Sequence, residues 1–204
     1  VAMGVAFTLT WLFGTNNEQI KNENKPSKNK TEKAEQPAQA IKTKAENADV
    51  ADDGIITAPL SGKAVKLENV PDQTFAQGIL GLGAAIEPTE GKVVAPGDGK
   101  VETLFDTFHA VGLTLDNGKE LLIHVGINTV ELKGEGFKAY VSEGDRVTKG
   151  QTLITFDMDF IKSKGYQTIT PVLVGNSDEF ASVEELAEEG TEVTIGDRLI
   201  KVNA

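Results

Sequence analysis

The chain has 204 residues, 39% of them hydrophobic, and no cysteine, which excludes disulfides, thiolate metal sites and a cysteine nucleophile. Its net charge is −11, and residues 54–204 carry −10 of it, with 13 lysine and arginine residues against 23 carboxylates. This surface lacks the basic excess that nucleic-acid binding requires, so the composition excludes nucleic acid and favours a basic protein partner; the alternative is that the acidic residues only keep the domain soluble.

The first two segments differ sharply in composition. Residues 1–14, VAMGVAFTLTWLFG, are apolar but shorter than the ~20 residues that a membrane-spanning helix needs, and they lack the features of a signal peptide. We interpret them as the end of a truncated transmembrane helix; a short buried helix or an exposed hydrophobic tail is the alternative. Residues 15–53 contain almost no large apolar residues, which predicts a flexible linker.

Residues 54–204 are predicted to form a folded domain made mainly of strands. Short apolar runs rich in β-branched residues alternate with Gly, Pro, Asn and Asp: IITAPLSGKAVKL, VVAPGDGKVETLF, AVGLTLDNGKELLIHVGI, TLITFD, TPVLVG and EVTIGDRLIKV. Asn117-Gly118 predicts a hairpin turn. Helical signals are few: a short helix over residues 157–164, and a capping-box spacing of Ser182 and Glu185 before ELAEE.

Two motifs occur twice with the same spacing. Ala58-Pro59-x-x-Gly62-Lys63 recurs as Ala95-Pro96-x-x-Gly99-Lys100, and Glu143-Gly144-x-x-Val147-x-x-Gly150-x-x-Leu153 recurs as Glu189-Gly190-x-x-Val193-x-x-Gly196-x-x-Leu199. In each pair a turn signal precedes a strand, which indicates a duplicated motif. The predicted fold is all-β, an antiparallel β-sandwich or barrel with a duplicated hairpin motif and minor short helices.

The only two histidines, His109 and His124, lie on either side of the predicted turn. A hairpin centred between Asn117 and Gly118 pairs His124 with Val111. His109 then becomes a diagonal neighbour on the same face, with Cβ atoms roughly 7 to 8 Å apart. The two rings are therefore expected to converge.

Convergent imidazoles can hold a metal, act as an acid and a base, or carry and stabilise a phosphoryl group. Neutral imidazole is a nucleophile when its second nitrogen is fixed by a hydrogen bond, for which the Gly126 region offers backbone carbonyls. Thr107 lies two residues before His109 and is predicted to bond a ring or a phosphate oxygen. Two ordinary strand histidines without a function are the alternative.

A family resemblance selects among these chemistries. The blocks ITAPLSGKAVKLENVPDQTF, ETLFDTFHA, LLIHVGINTVELKGEGF and TPVLVGNSDEF resemble the glucose-type enzyme IIA domain of the bacterial phosphoenolpyruvate-dependent sugar phosphotransferase system. The resemblance implies an antiparallel β-sandwich that needs no cofactor. It also implies phosphoryl transfer from a histidine of the phosphocarrier HPr to a cysteine of an enzyme IIB domain. His124 would carry the phosphoryl group, and His109, helped by Thr107, would stabilise it.

The resemblance also implies a partner-binding face. Asp72 and Asp178 match the family's acidic residues there, and Phe75 and Phe105 would form an apolar docking rim, with core packing as the alternative for both phenylalanines. Asn128 stands where the family commonly has aspartate. Activity is expected to survive this change, with less negative charge beside the phosphohistidine.

The first segment resembles the last membrane helix of an enzyme IIC domain, in permeases of the β-glucoside, sucrose and trehalose types arranged IIB, IIC, IIA. The chain would then be the C-terminal part of such a permease. Its enzyme IIA domain would be cytoplasmic and tethered to the inner face of the cell membrane.

Two rival functions remain open at this point. APLSGKAVKL and EGDRVTKGQTLITFD share the style of lipoyl- or biotinyl-type carrier modules, although no lysine stands out at a hairpin tip. A zinc peptidase of the duplicated-hairpin type would need a third ligand such as Asp178, and no general base is evident. No functional metal is expected, and zinc in the purified protein would not by itself indicate a peptidase, because two close histidines such as His109 and His124 can bind it adventitiously.

Overall fold

The computed structural model describes residues 53–204. The predicted truncated helix (1–14) and nearly all of the predicted linker (15–53) lie outside the described residues. The described part is built from short strands and two short helices: β1 (Ile55–Thr57), β2 (Gly62–Val65), α1 (Gln73–Ala76), β3 (Leu82–Pro88), β4 (Lys92–Val94), β5 (Gly99–Leu104), β6 (Ala110–Leu115), β7 (Glu120–His124), β8 (Phe137–Ala139), β9 (Arg146–Val147), β10 (Thr152–Phe156), α2 (Met158–Ser163), β11 (Thr170–Val174), β12 (Ser182–Glu185), β13 (Glu192–Val193) and β14 (Arg198–Asn203). The all-β prediction is confirmed.

The strands form one large sheet and two small ones, all antiparallel. The large sheet has the order β13-β2-β3-β11-β7-β6-β5-β9, and the small sheets have the orders β1-β14-β12 and β4-β10-β8. Apolar side chains from all three sheets meet in one core, which includes Ile56, Ile86, Ile123, Leu153 and Ile200. This is the predicted β-sandwich, and β7 lies near the middle of its large sheet.

The predicted duplication is visible in the strand order and in the backbone hydrogen bonds. Read inward from its two edges, the large sheet gives β13-β2-β3-β11 and β9-β5-β6-β7. Equivalent bonds recur in the two halves: Gly196 N–H donates to the Ala58 carbonyl as Gly150 N–H does to Ala95, and Gly190 N–H donates to Ala64 as Gly144 N–H does to Val101. The repeated glycine spacings are therefore the turns of two equivalent strand pairs.

Local predictions were right for one helix and wrong for the other. α2 begins after Asp157, whose carboxylate accepts the Phe160 N–H, and Gly165 follows it with φ 85°. The capping-box interpretation is wrong, because Ser182–Glu185 forms β12, which pairs with β14 over its whole length. Long-range pairing outweighs the local helical preference there.

The face of the large sheet that lies away from the main core carries a second, smaller apolar cluster. Leu67, Val70 and Phe75 from the segment around α1 pack there on the strands, together with Ala85, Ile127, Ile169 and Leu173. His124 ends β7 beside this cluster, since its ring contacts Phe75 with centroids 5.0 Å apart. Within residues 53–204, no helix has the length and apolar character needed to cross a membrane.

Candidate active site

The two histidines meet at one end of β7. His124 is the last residue of that strand, His109 immediately precedes β6, and their ring centroids lie 4.9 Å apart at an interplanar angle of 79°. His109 is buried, with 5% exposure, whereas His124 is partly exposed. The predicted convergence is confirmed, and the His124 ring is accessible from solvent.

The predicted register that led to this convergence is wrong by one residue. Leu115 N–H bonds the Lys119 carbonyl, so the hairpin has a three-residue loop and His124 pairs with Ala110 instead of Val111. A one-residue slip places His109 out of phase with His124. The rings still meet because the chain leaves strand geometry just before β6, where Phe108 has φ 55°.

A backbone carbonyl fixes the proton on His124. Nδ1 of its ring lies 2.8 Å from the Gly126 carbonyl oxygen, which can only accept a hydrogen bond. Nδ1 therefore carries the proton and Nε2 keeps its lone pair free. Gly126 has φ 75°, and a Cβ there would lie 2.6 Å from the Gln167 carbonyl oxygen, so this position requires glycine.

His109 is held by its neighbours on the same loop. The Thr107 hydroxyl lies 2.5 Å from His109 Nδ1, as the sequence predicted, and the Phe105 ring meets the His109 ring edge-on at 5.3 Å. A hydroxyl can donate to Nδ1 or accept from it, so this contact is compatible with either tautomer. The other nitrogen, Nε2, is left for a group placed between the two rings.

Both rings are neutral near pH 7. Burial, followed by the proximity of His124, lowers the pKa of His109 to about 4. Burial also lowers the pKa of His124 below 6.5, although the Gly126 carbonyl and the Asp72 carboxylate oppose this shift. A neutral His124 is a competent nucleophile, and a neutral His109 adds no like charge beside it.

These shifts predict that acid destabilises the domain through His109. The residue titrates near 6.5 in the unfolded chain and near 4 in the folded one, so between these values the unfolded state binds more protons. The contribution to stability is fully present above pH 6.5 and is lost as pH falls toward 4. Urea unfolding of the parent and of His109→Gln at pH 7 and pH 5 should show a smaller drop in unfolding free energy for the variant. An equal drop in unfolding free energy in both proteins would contradict the lowered pKa of His109.

The predicted partner-binding residues do not all come together. Asp72 lies close enough to raise the pKa of His124, and its side chain also caps α1 by accepting the Thr74 N–H. Phe105 is 42% exposed beside His109, and Asn128 is exposed in the turn after β7 with φ 59°. Phe75 is only 6% exposed, which agrees with packing in the core and not with a place in an exposed docking rim.

Asp178 lies away from the histidines. It follows β11, whose last residue Val174 pairs with Leu121 near the start of β7, whereas His124 ends that strand. The neighbouring Asn176 side chain bonds the backbone of the hairpin around Gly118. Asp178 therefore lies toward the opposite end of β7 and is not the third zinc ligand that a peptidase would need beside the two histidines. Within residues 53–204 no group of three or more potential metal ligands occurs.

Two residues of the turn that follows His124 were not predicted from the sequence. Val130, in the 3₁₀ turn Thr129–Leu132 that follows the histidine block, is an apolar residue with 46% exposure. Thr129 is fully buried and bonds the Val125 carbonyl through its hydroxyl. The sequence signal for Thr129 was a threonine between the apolar residues Ile127 and Leu132, in a segment that does not alternate as a strand does.

Comparisons with known proteins agree with this geometry. Residues 54–180 match the family described as "phosphoenolpyruvate-dependent sugar phosphotransferase system, EIIA 1". The chain is 50% identical over 137 residues to a protein from Halalkalibacterium halodurans named "PTS system glucose-specific EIIA component", covering 67% of this chain and 79% of that protein. A Staphylococcus aureus protein of the same name is 47% identical over 135 residues, covering 66% and 81% respectively.

A solved structure has the same fold. The glucose permease IIA from Mycoplasma capricolum superposes with a TM-score of 0.66 at 34% identity, over 72% of this chain and 93% of that one. Domains of this family transfer phosphoryl groups and exchange them with HPr and enzyme IIB, so the carrier-module and zinc-peptidase alternatives are not favoured. The chain belongs to the enzyme IIA family of the phosphoenolpyruvate-dependent sugar phosphotransferase system.

Proposed function

We propose that His124 Nε2 accepts the phosphoryl group from the histidine of HPr and passes it to a cysteine of enzyme IIB. In the first step the Nε2 lone pair forms an N–P bond while the N–P bond to HPr breaks. In the second step the cysteine sulfur forms a P–S bond while the bond to Nε2 breaks. The observation that carries this proposal is the His124 Nδ1–H bond to the Gly126 carbonyl, which leaves Nε2 unprotonated beside a second neutral imidazole.

His109 stabilises the phosphoryl group on its neighbour. This role requires the tautomer in which the Thr107 hydroxyl donates to His109 Nδ1, so that Nε2 carries the proton and donates it as a hydrogen bond to a phosphoryl oxygen. Because burial keeps the ring neutral, this donor is available without adding a cation that would hold the phosphoryl group too tightly. The pairing supports both acceptance and onward transfer.

The partners dock around the exposed side of the histidine pair. Phe105 and Val130 supply exposed apolar surface, and Asp72 supplies a carboxylate whose field reaches His124. An acidic domain with a small apolar patch favours fast, weak encounters with basic partner surfaces. The same surface must serve HPr and enzyme IIB in turn, since the phosphoryl group enters and leaves through His124.

We also propose that residues 1–14 end an enzyme IIC domain and that residues 15–53 link it to a cytoplasmic enzyme IIA domain at the membrane. A flexible segment of this length has a root-mean-square span of about 35 Å, which would hold the domain at high effective concentration near enzyme IIB. The coding sequence upstream of Val1 tests this arrangement directly. A full set of preceding membrane helices is expected, and a start codon close to Val1 would contradict it.

The phosphorylation site tests the proposed function. Incubation with phosphoenolpyruvate, enzyme I and HPr should add one acid-labile phosphate, and phosphorus–nitrogen NMR correlation should place it on His124 Nε2. A phosphate on Nδ1, or on any other residue, would overturn the mechanism.

The neutral side chain of Asn128 leaves the site with less negative charge than an aspartate at this position would give it. Asn128→Asp adds a negative charge in the turn that follows His124, where it opposes the additional charge of the phosphoryl group. The equilibrium between phosphorylated HPr and this domain should shift toward HPr by about two- to fivefold, the range expected for one exposed charge. Asn117→Asp adds the same charge at the other end of β7 and serves as the control. Equal shifts in both variants would show that only net charge matters.

A further inference from the structure

The turn that follows β7, residues 125–129, is held from inside by one buried side chain. Thr129 is fully buried, and its hydroxyl donates to the Val125 carbonyl. Its methyl group packs against Gly126, because a Cβ built on that glycine would lie 2.5 Å from Thr129 Cγ2. A single side chain thus contacts the Val125 carbonyl and Gly126, which directly precede the peptide that carries the Gly126 carbonyl.

The rest of this turn is fixed by backbone bonds. Val125 N–H donates to the His109 carbonyl at 2.7 Å, and Ile127 N–H donates to the Gln167 carbonyl at 3.1 Å. These two bonds anchor the ends of the turn on the neighbouring chain segments. The Ile127 N–H lies in the same planar peptide as the Gly126 carbonyl, so the bond to Gln167 holds one edge of that peptide. The direction of the carbonyl also depends on Gly126, whose φ of 75° belongs to the left-handed region and against which Thr129 packs.

The orientation of the Gly126 carbonyl decides which nitrogen of His124 is the nucleophile. While the carbonyl points at Nδ1, the proton stays on Nδ1 and Nε2 can attack. If the carbonyl turns away, the proton is free to move to Nε2, where it blocks the lone pair that forms the N–P bond.

We infer that Thr129 is a positioning residue that holds the Gly126 carbonyl on His124 Nδ1 and thereby keeps Nε2 available for phosphoryl transfer. Thr129 does not touch the reacting atoms; it acts through Val125 and Gly126. The inference rests on the proposed role of His124 as phosphoryl acceptor, but the tautomer it concerns is a property of the unphosphorylated protein.

The test compares variants of the full chain labelled with ¹⁵N-histidine. Long-range ¹H–¹⁵N correlation should show His124 as the Nδ1–H tautomer in the parent and as a mixture in Thr129→Val, which keeps the side-chain shape but lacks the hydroxyl. Single-turnover acceptance from phosphorylated HPr should slow by about tenfold, with little change in the HPr concentration giving half-maximal rate. An unchanged tautomer in the folded Thr129→Val protein would overturn the inference.

Two further comparisons separate positioning from stability. Thr57→Val also removes a buried hydroxyl that donates to a backbone carbonyl, that of Pro96, and should lower stability without changing the His124 tautomer. Thr129→Ser restores the hydroxyl and should recover the Nδ1–H tautomer and most of the rate, whereas Thr129→Ala should not. If Thr129→Val does not fold, the comparison of Thr129→Ser with Thr129→Ala tests the inference instead. Equal tautomer populations in those two variants would overturn the inference, and a parent that is phosphorylated elsewhere would overturn only the proposed function.

Discussion

His124→Ala is expected to lower phosphorylation by phosphoenolpyruvate, enzyme I and HPr by more than about 10³-fold, because it removes the nucleophilic ring that a partner can reach. The imidazole that remains, that of His109, is buried, and its Nδ1 is bonded to the Thr107 hydroxyl. The measurement is incorporation of acid-labile phosphate after an incubation long enough to saturate the parent. His124→Gln, which keeps a polar planar group next to Phe75, should be equally inactive.

Two controls make this result specific. HPr in the same reaction must become labelled normally, and the amide spectrum of each variant must match that of a folded protein, since His124 packs against Phe75 at the edge of an apolar cluster. Persistent labelling of a folded His124→Ala protein would end the assignment of this residue as the phosphoryl acceptor.

His109→Ala is expected to accept the phosphoryl group but to deliver it slowly. Acceptance requires the Nε2 lone pair of His124, which the variant keeps, whereas delivery requires stabilisation of the charge that develops on the phosphoryl oxygens. Loss of one preorganised donor in such a transition state costs about 10²- to 10³-fold in rate. The measurement is rapid-quench transfer from the purified phosphorylated variant to enzyme IIB.

His109→Gln provides the matched comparison, because its amide N–H₂ group can still donate to the phosphoryl group from a similar position. It should recover part of the delivery rate. A His109→Ala protein that delivers at the rate of the parent would show that the second ring has no catalytic role. One that never becomes phosphorylated would show that His109 acts in acceptance instead.

The sequence was most informative where a local pattern has a single physical meaning. Alternating apolar residues between turn signals predicted most strands, and an Asp before the run and a Gly after it delimited α2 correctly. The repeated glycine spacings predicted the duplicated strand pairs that the hydrogen bonds later displayed. Strand β3 was missed because LGAAIEP has no alternation; Gly83 is required there, since a Cβ would lie 2.1 Å from the Val172 carbonyl oxygen.

The candidate site was predicted in part for a reason that proved wrong. A two-residue turn was assumed at Asn117-Gly118, and the three-residue loop shifts every pair in the hairpin. The local sequence could not distinguish a two-residue turn from a three-residue loop, because both hairpin types accept Asn followed by Gly in the connection. The positive φ of Phe108 then restores the convergence of the two rings, and no sequence pattern announces it.

The sequence by itself therefore determined the all-β class and the duplicated motif, and through resemblance it predicted the two histidines as the reactive pair and the chemistry of phosphoryl transfer. Only the tertiary structure decided that Phe75 is buried under His124, that Asp178 lies at the far end of β7, and that Ser182–Glu185 is a strand. Each of these facts depends on which distant segment lies alongside, and pairing between distant segments is set by the packing of the whole sheet, which short-range patterns do not encode.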